Sequence, residues 1–500
     1  MTLAAARPTA GRTLVVLVTA VAALLVMLDI AIVNVALSHV AGSLNATRDQ
    51  ISWVLTAYVI AMALATPLAG WLADRIGRRP LFVLSMAGFV AASAACGLAT
   101  DLPQMVAFRI LQGACAAPIG PLAQAILLDV TPRERHGRAM AVFAMATMLG
   151  PTLGPTLGGW LTDAYGWRWC FLINVPLGTL VVFGAAICIP EPAETRRRPL
   201  DLIGYAVLAL GVACFQLFLD RGLRAEWFAS AESWIWAGLA VLGLYWFVAH
   251  SLTAARPLFS LELVRDRNYA SAAILAFVIS MVLFPAVAMA PPILQEVLGY
   301  TAFDSGMTLV PRGLATIASS FVVGRLIARV DSRLLILIGI VLTAAGFLIM
   351  AGVSPQADNR LIMLAALVQG VGQGTFFVPI STIAFASLSP HLRTEGAAAA
   401  GLLRNMGTSV GLSLVAMTHS AGAYRAQSLI GENLTEDAFA ARGLSPGGAA
   451  ELSTQTDLAL LGREIARQAD LLAYVNTFYL MALLCALAAP LLLLLRPPRR

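Results

Sequence analysis

Asp29 stands about 15 residues into an apolar stretch centred on residues 14–36. Read as a helix rising 1.5 Å per residue, that depth is about 22 Å from the start of the stretch. An ionisable group so deep in hydrocarbon is costly and marks function, and an acid there suits reversible proton carriage. A base stands at matching depth. Arg109 lies six or seven residues into the segment 103–128, which runs the opposite way, so it sits about 10 Å below the far surface of a roughly 30 Å core. Acid and base at one level can pair or compete through water, and protonating Asp29 would change the partners of Arg109. Gln112 shares the face of Arg109 one helical turn on, and Asn34 lies nearer the rim of the first stretch. Later in the chain the polar residues at depth are Arg312, Gln369, Gln373 and Arg404, the last near the midplane. A deep arginine without an acid must face a cavity, carbonyls or an anionic ligand. We read Asp29 and Arg109 as the proton-coupling pair. Asn34, Gln112, Arg312, Gln369, Gln373 and Arg404 are expected to line a substrate cavity.

The elements that hold these residues are long and apolar. With 59% hydrophobic residues, 12% charged and a mean hydropathy of +0.81, the chain is an integral membrane protein; a soluble chain carries about twice that charge. About fourteen apolar segments reach the roughly 20 residues a spanning helix needs, the shortest being the pair 201–219 and 233–250. Arg7 and Arg12 precede the first like the start of a signal peptide. No small-residue cleavage site follows, however, and the stretch continues past Asp29 to Leu37, so it reads as a spanning helix. All basic residues are arginine, and they gather in alternate loops: Arg75, Arg78 and Arg79; Arg133, Arg135 and Arg138; Arg196, Arg197 and Arg198. Cytoplasmic loops hold positive charge, which puts both termini in the cytoplasm. The net charge of +6 reflects that topology and does not imply nucleic acid. The six cysteines lie in apolar runs without ligand spacing, the histidines do not cluster, and no phosphate-binding loop occurs. Neither a metal nor another cofactor is expected, and the drive would come from a proton gradient.

A repeat organises the chain. Gly70-Trp71-Leu72-Ala73-Asp74-Arg75-Ile76-Gly77-Arg78-Arg79 is a charge-dense turn between two apolar runs, and a worn copy recurs at Gly324 to Arg333. Gln112-Gly113 returns as Gln369-Gly370, and Gly150 and Gly154 return as Gly407 and Gly411. Two halves built from one helical unit, with substrate at their interface, is a common transporter plan. The parts are an N-terminus at 1–12, a first six-helix bundle at 13–190, and a linker with an inserted hairpin at 191–268. A second bundle follows at 269–495, including an outer segment at 419–470, and a tail at 496–500. The outer segment reads as a connection with a Gly/Pro-rich centre and an amphipathic helix near Leu458 to Leu472, or as a docking surface. Gly150, Pro151, Gly154, Pro155, Gly158 and Gly159 set small residues along one helix face, where helices approach closely, and prolines soften the backbone into a hinge or seal.

These stretches resemble the major facilitator superfamily, in particular its fourteen-helix drug:proton antiporter family, the EmrB/QacA subfamily. The turn 70–79 is similar to the signature between helices two and three, Arg109 to Gly113 to the helix-four motif, and 150–159 to the antiporter motif. Leu28 to Leu37 and Trp167 to Gly178 resemble the fourteen-helix members. Leu294 to Ala302, Phe376 to Pro379 and the outer segment resemble the EmrB branch. In two places the chain departs: Ala31 replaces a usual hydroxyl residue, and Ser38 a common proline. The resemblance implies an all-α major facilitator fold of two six-helix bundles plus an inserted hairpin. It also implies export of lipophilic small molecules against protons, with Gly70, Asp74, Arg75, Gly77, Arg78 and Arg79 forming a cytoplasmic gate. Its expected partners are an EmrA-type periplasmic adaptor and a TolC-type outer-membrane channel. The same fold would serve a proton-coupled importer or exporter of one specific metabolite.

Overall fold

A computed structural model describes residues 9–132, 135–190, 199–222, 225–327, 329–354, 358–432 and 455–495. The terminal residues 1–8 and 496–500, the linker stretch 191–198 and the Gly/Pro-rich centre at 443–448 lie outside the described residues. The described residues form helices and no strands, and the long helices follow the apolar segments one for one. They are α1 (Thr9–Ser43), α2 (Trp53–Ala65 with Leu68–Ile76), α3 (Arg78–Leu98), α4 (Leu102–Val130), α5 (His136–Tyr165), α6 (Trp169–Cys188) and α7 (Leu202–Gly222). Then come α8 (Ala231–Thr253), α9 (Arg267–Pro292), α10 (Ala302–Leu326), α11 (Ser332–Ala351), α12 (Asn359–Ala386), α13 (Arg393–Glu432) and α14 (Gln455–Ala488).

Among the described residues, twelve helices are long and apolar enough to cross a membrane, and α2, bent by 56°, makes a thirteenth. The bend falls at Thr66-Pro67, where proline has no N–H to continue the helical ladder and its ring crowds the preceding turn, and Thr66 Oγ1 donates to the Met62 carbonyl at 2.6 Å. Helix α13 is long enough to span, but its Gly, Ala and Ser content leaves it below that apolar threshold.

The repeat is visible as repeated close approaches. A Cβ at Gly113 would collide with the Tyr58 carbonyl of α2, and one at Gly370 with the Arg312 carbonyl of α10. Gly150 and Gly154 of α5 press on Met27 and Ala31 of α1, while Gly407 and Gly411 of α13 press on Phe277 and Met281 of α9. Small residues admit backbone this near, so the glycine pattern fixes which helices touch. By this correspondence Ile279 occupies in the second half the place of Asp29, and Arg312 that of Tyr58.

The inserted hairpin lies on the outside. Only 11% of α8's apolar window is buried, as expected of a helix facing lipid. Its partner α7 spans the seam between the two groups. Thr56 of α2 donates to Asp220 Oδ2 at 2.6 Å, and Ser409 of α13 donates to Gln216 Oε1 at 2.7 Å. Ala63, Leu208, Val212 and Leu402 bury an apolar patch between these ties.

The outer segment meets expectation in its second part, an amphipathic helix leading into the last span, and differs in its first, which is helix where a connecting loop was expected. Residues 419–432 continue α13, and the amphipathic stretch near 458–472 is the first part of an unbroken α14. No proline or paired glycine interrupts 419–432, so nothing stops the helix at the membrane surface. The two extensions pack together, with Gly422 against Ala473 and His419 Nε2 3.7 Å from Asp470.

Candidate functional site

Four helices converge on Asp29, which is 0% exposed, as is Arg109. Glycines make this possible: a Cβ at Gly154 would collide with Ala31, one at Gly150 would lie 2.7 Å from the Leu28 nitrogen, and one at Gly158 3.0 Å from the Ile32 carbonyl. Thus α5 beds on α1 across the turn that carries Asp29. On another face of α5, Thr152 and Thr156 meet Gly313 and Gly306 of α10 in the second half. Both prolines sit inside a continuous α5, with Pro151 buried. Gly159 has open space around it. One helix therefore touches the acid's helix and the opposing half together.

Asp29 Oδ2 accepts from Arg109 Nη1 at 2.7 Å. Its Oδ1 accepts from Gln112 Nε2 at 3.0 Å and Asn174 Nδ2 at 2.8 Å. Arg109 Nη1 also donates to Gln112 Oε1 at 2.7 Å, and Nε donates to the Val54 carbonyl at 3.0 Å. The guanidinium lies 4.1 Å from the Tyr58 ring centroid, a cation–π contact in a dry setting. Asn174 Nδ2 further donates to Ser93 Oγ at 3.0 Å, and Ser93 donates to the Phe171 carbonyl at 2.9 Å. Three buried polar atoms at this network lack a partner: Arg109 Nη2, Asn174 Oδ1 and the Tyr58 hydroxyl. Burying two charges is tolerated only when they are paired and further hydrogen-bonded. This pair meets that condition while keeping unused donor and acceptor capacity for a change of partners.

Of the expected cavity residues, Gln112 belongs to this network, not to a cavity wall. Asn34 is exposed on α1. In the second half Arg312 is 5% exposed and Gln373 4%. With its amide oxygen turned toward the guanidinium, Gln373 accepts from Arg312 Nε at 3.1 Å. Gln369 is buried against Gly346 of α11. Arg404 is half-buried and stands apart from both groups.

The turn 70–79 closes the arginine-rich end. Gly77 has φ of +92°, a left-handed conformation that glycine adopts without strain, and it lets α3 start directly after α2. A Cβ at Gly70 would lie 3.1 Å from Glu395 Cα of α13; in the copy, one at Gly324 would lie 3.5 Å from Arg138 Cα of α5. Each half presses its motif glycine on the matching helix of the other. Arg78 pairs with Asp129 of α4 and donates to the Pro390 carbonyl at 2.8 Å. Asp129 also accepts from Arg393 Nη1 at 2.8 Å. Arg79 donates to the Ala186 carbonyl of α6. Arg75 is exposed and stacks on Trp71 at 5.2 Å, and Asp74 is half-buried.

Sequence reasoning missed Asp129, Arg393, Asn174, Ser93 and Tyr58. Asn174 had a signal: it is an amide inside an apolar segment, in the stretch from Trp167 to Gly178. Asp129 and Arg393 stood at helix ends, where loop charges look alike until the halves are docked.

The model described as the Major Facilitator Superfamily matches residues 19–412. The chain is 36% identical over 411 residues to the "Multidrug export protein EmrB" of Haemophilus influenzae, covering 81% of each chain. It is 32% identical over 482 residues to the "Fatty acid resistance protein FarB" of Neisseria gonorrhoeae, covering 94% of each. The solved structure of the proton:xylose symporter XylE is similar in fold, with a TM-score of 0.63 at 13% identity, covering 97% of this chain and 95% of that one. Family match, two-part helical architecture and inserted hairpin agree: the chain belongs to the major facilitator superfamily, in its EmrB-like branch, and is a membrane transporter, not an enzyme.

Proposed function

We propose that this chain exports lipophilic small molecules across the bacterial inner membrane in exchange for protons, by alternating access between its two six-helix groups. The observation that carries the reading is the dry Asp29–Arg109 pair, held to Gln112 and Asn174 on a helix that α5 couples to the opposing half. A proton reaching Asp29 removes the charge that holds Arg109 Nη1. Arg109 then re-pairs, α1 shifts against Gly150 and Gly154, and α5 passes the shift to α10. The relatives named for multidrug export and fatty acid resistance support lipophilic cargo. One charge crossing 100 mV yields about 2.3 kcal/mol, a roughly fifty-fold gradient at about 1.36 kcal/mol per tenfold.

The arginine-rich end faces the cytoplasm in this reading, with both termini there, and the Arg78–Asp129–Arg393 clamp closes that side. Asp74 and Arg75 contribute to the latch. The paired extensions of α13 and α14 then project into the periplasm and offer a surface for an EmrA-type adaptor that links to a TolC-type channel. The chain needs no cofactor beyond the proton gradient. A reconstitution experiment tests the reading. Vesicles holding the purified chain should accumulate or expel a lipophilic dye only when a pH gradient is imposed. Equal dye movement without the gradient would sink the proposal.

A further inference from the structure

The four arginines Arg109, Arg312, Arg393 and Arg404 differ in one respect. The first three are engaged by Asp29, Gln373 and Asp129. Arg404 makes no hydrogen bond or ion pair among the described residues, although it lies about 16 Å along α13 from Arg393, near mid-membrane. The faces of α13 say where it points. Gly407 and Gly411 press on α9, and Leu402 and Ser409 hold α7. Arg404 stands three and seven residues before those glycines and so borders the α9 face, while Gly401 and Thr408, three residues before it and four after, turn from there toward the seam. There a Cβ on Gly401 would be 3.8 Å from Thr66 of α2 and 3.9 Å from Arg404 Nη2. The guanidinium head therefore sits where the two halves meet. Tyr269, a neighbouring hydroxyl, donates to the Gly396 carbonyl at 2.6 Å and is not within hydrogen-bond reach of Arg404. Glu395 lies more than two helical turns away toward the arginine-rich end, where it accepts from the Ser260 nitrogen.

A guanidinium stays charged at any working pH and offers a planar fork that matches a carboxylate. A charged group at this depth marks a functional site, and among the described residues no hydrogen-bonding carbonyl or acid takes up this one. We infer that Arg404 receives the acidic head of an amphiphilic organic anion carried by this transporter, so that anions are favoured over their neutral analogues. The inference rests on the exporter reading and adds the class of cargo and the residue that selects it.

The test compares 11-(dansylamino)undecanoic acid with its methyl ester on the purified full-length chain, by dansyl fluorescence in detergent and by flux in vesicles. Wild type should prefer the acid. In Arg404→Gln the acid-over-ester preference should fall on the order of 10- to 100-fold, the loss expected for a charge-assisted hydrogen-bonded pair. Arg404→Lys, which keeps the charge and loses the fork, should fall between. Phosphatidylglycerol added in excess should leave the acid bound. An unchanged preference in Arg404→Gln overturns the inference. So does an equal loss of acid and ester, which marks a packing role, or displacement by phosphatidylglycerol, which marks a lipid site. Wild-type transport of the ester with no binding of the acid also overturns it while leaving the exporter standing. Acid that binds through Arg404 but is never moved supports the site and fails the exporter reading.

Discussion

Replacing Asp29 with asparagine removes the charge from a pair that is 0% exposed on both sides and leaves Arg109 charged in a dry site. Asparagine keeps one carbonyl oxygen, so Arg109 Nη1 retains a weak acceptor there, and its bond to Gln112 Oε1 at 2.7 Å survives. Arg109 Nη2 already has no partner and gains none. Breaking a buried pair from one side costs about 3–5 kcal/mol, and the residual acceptors place Asp29→Asn near the lower bound. Arg109→Gln should cost a similar amount by baring the carboxylate. The double variant has no charge left to strand, so its loss should fall short of the sum of the singles by about 2 kcal/mol, within the range contacting residues show. Steric trapping in bicelles measures all three. Function separates from stability in the same set: Asp29→Asn should lose gradient-driven efflux yet keep downhill exchange of one substrate molecule for another. Strictly additive stabilities, or gradient-driven efflux by the double variant, would refute the reasoning.

Other outcomes follow from the same geometry. Asp129→Asn removes the acceptor shared by Arg78 and Arg393; two partly exposed pairs are worth on the order of 1–2 kcal/mol together. Spin-label distances across the arginine-rich end should therefore report opening about tenfold more often, and no change would remove the clamp. Asp74→Asn should slow turnover more than it weakens substrate binding, as separate kcat and KM measurements would reveal. Gly154→Ala places a methyl into Ala31 and should cost about 1–3 kcal/mol and most transport, with Ala31→Gly in the same chain restoring both. His419 lies about 39 Å along α13 from Arg393, beyond a roughly 30 Å core. Burial lowers its pKa below the usual 6.5, with Asp470 and Glu296 opposing. A base depressed in the folded state binds fewer protons than the unfolded chain, so stability is lost as pH falls below 6.5. His419→Phe should flatten the thermal-stability decline between pH 7.5 and 5.5, and an unaltered decline would assign it to other groups.

Much of this was legible beforehand because hydrocarbon is a severe solvent. Every apolar segment became a helix, the matched depths of Asp29 and Arg109 became a 2.7 Å contact, and the glycine repeat became a repeated set of close approaches. The missing hydroxyl at Ala31 posed a question that only coordinates answer. Asp29 takes its extra donors from Gln112 and from Asn174 on α6, while Ala31 is a packing surface for Gly154. What the sequence hid depends on docking between distant helices. Asp129 meets Arg393 across 264 positions, and nothing in either segment's period announces that. Gln112 misled because a polar residue at depth reads the same whether it lines a cavity or braces an acid. The stretch 419–432 misled for another reason: its polarity says water, which a helix projecting from the membrane satisfies as well as a loop.

Proton movement measured in the same vesicles as substrate movement bears most directly on the central claim. With a pH-sensitive dye trapped inside vesicles of wild-type protein, adding substrate on one side should drive protons the opposite way, and Asp29→Asn should abolish that proton signal while substrate exchange continues. A proton signal of wild-type size in Asp29→Asn, or protons travelling with the substrate, would contradict the account.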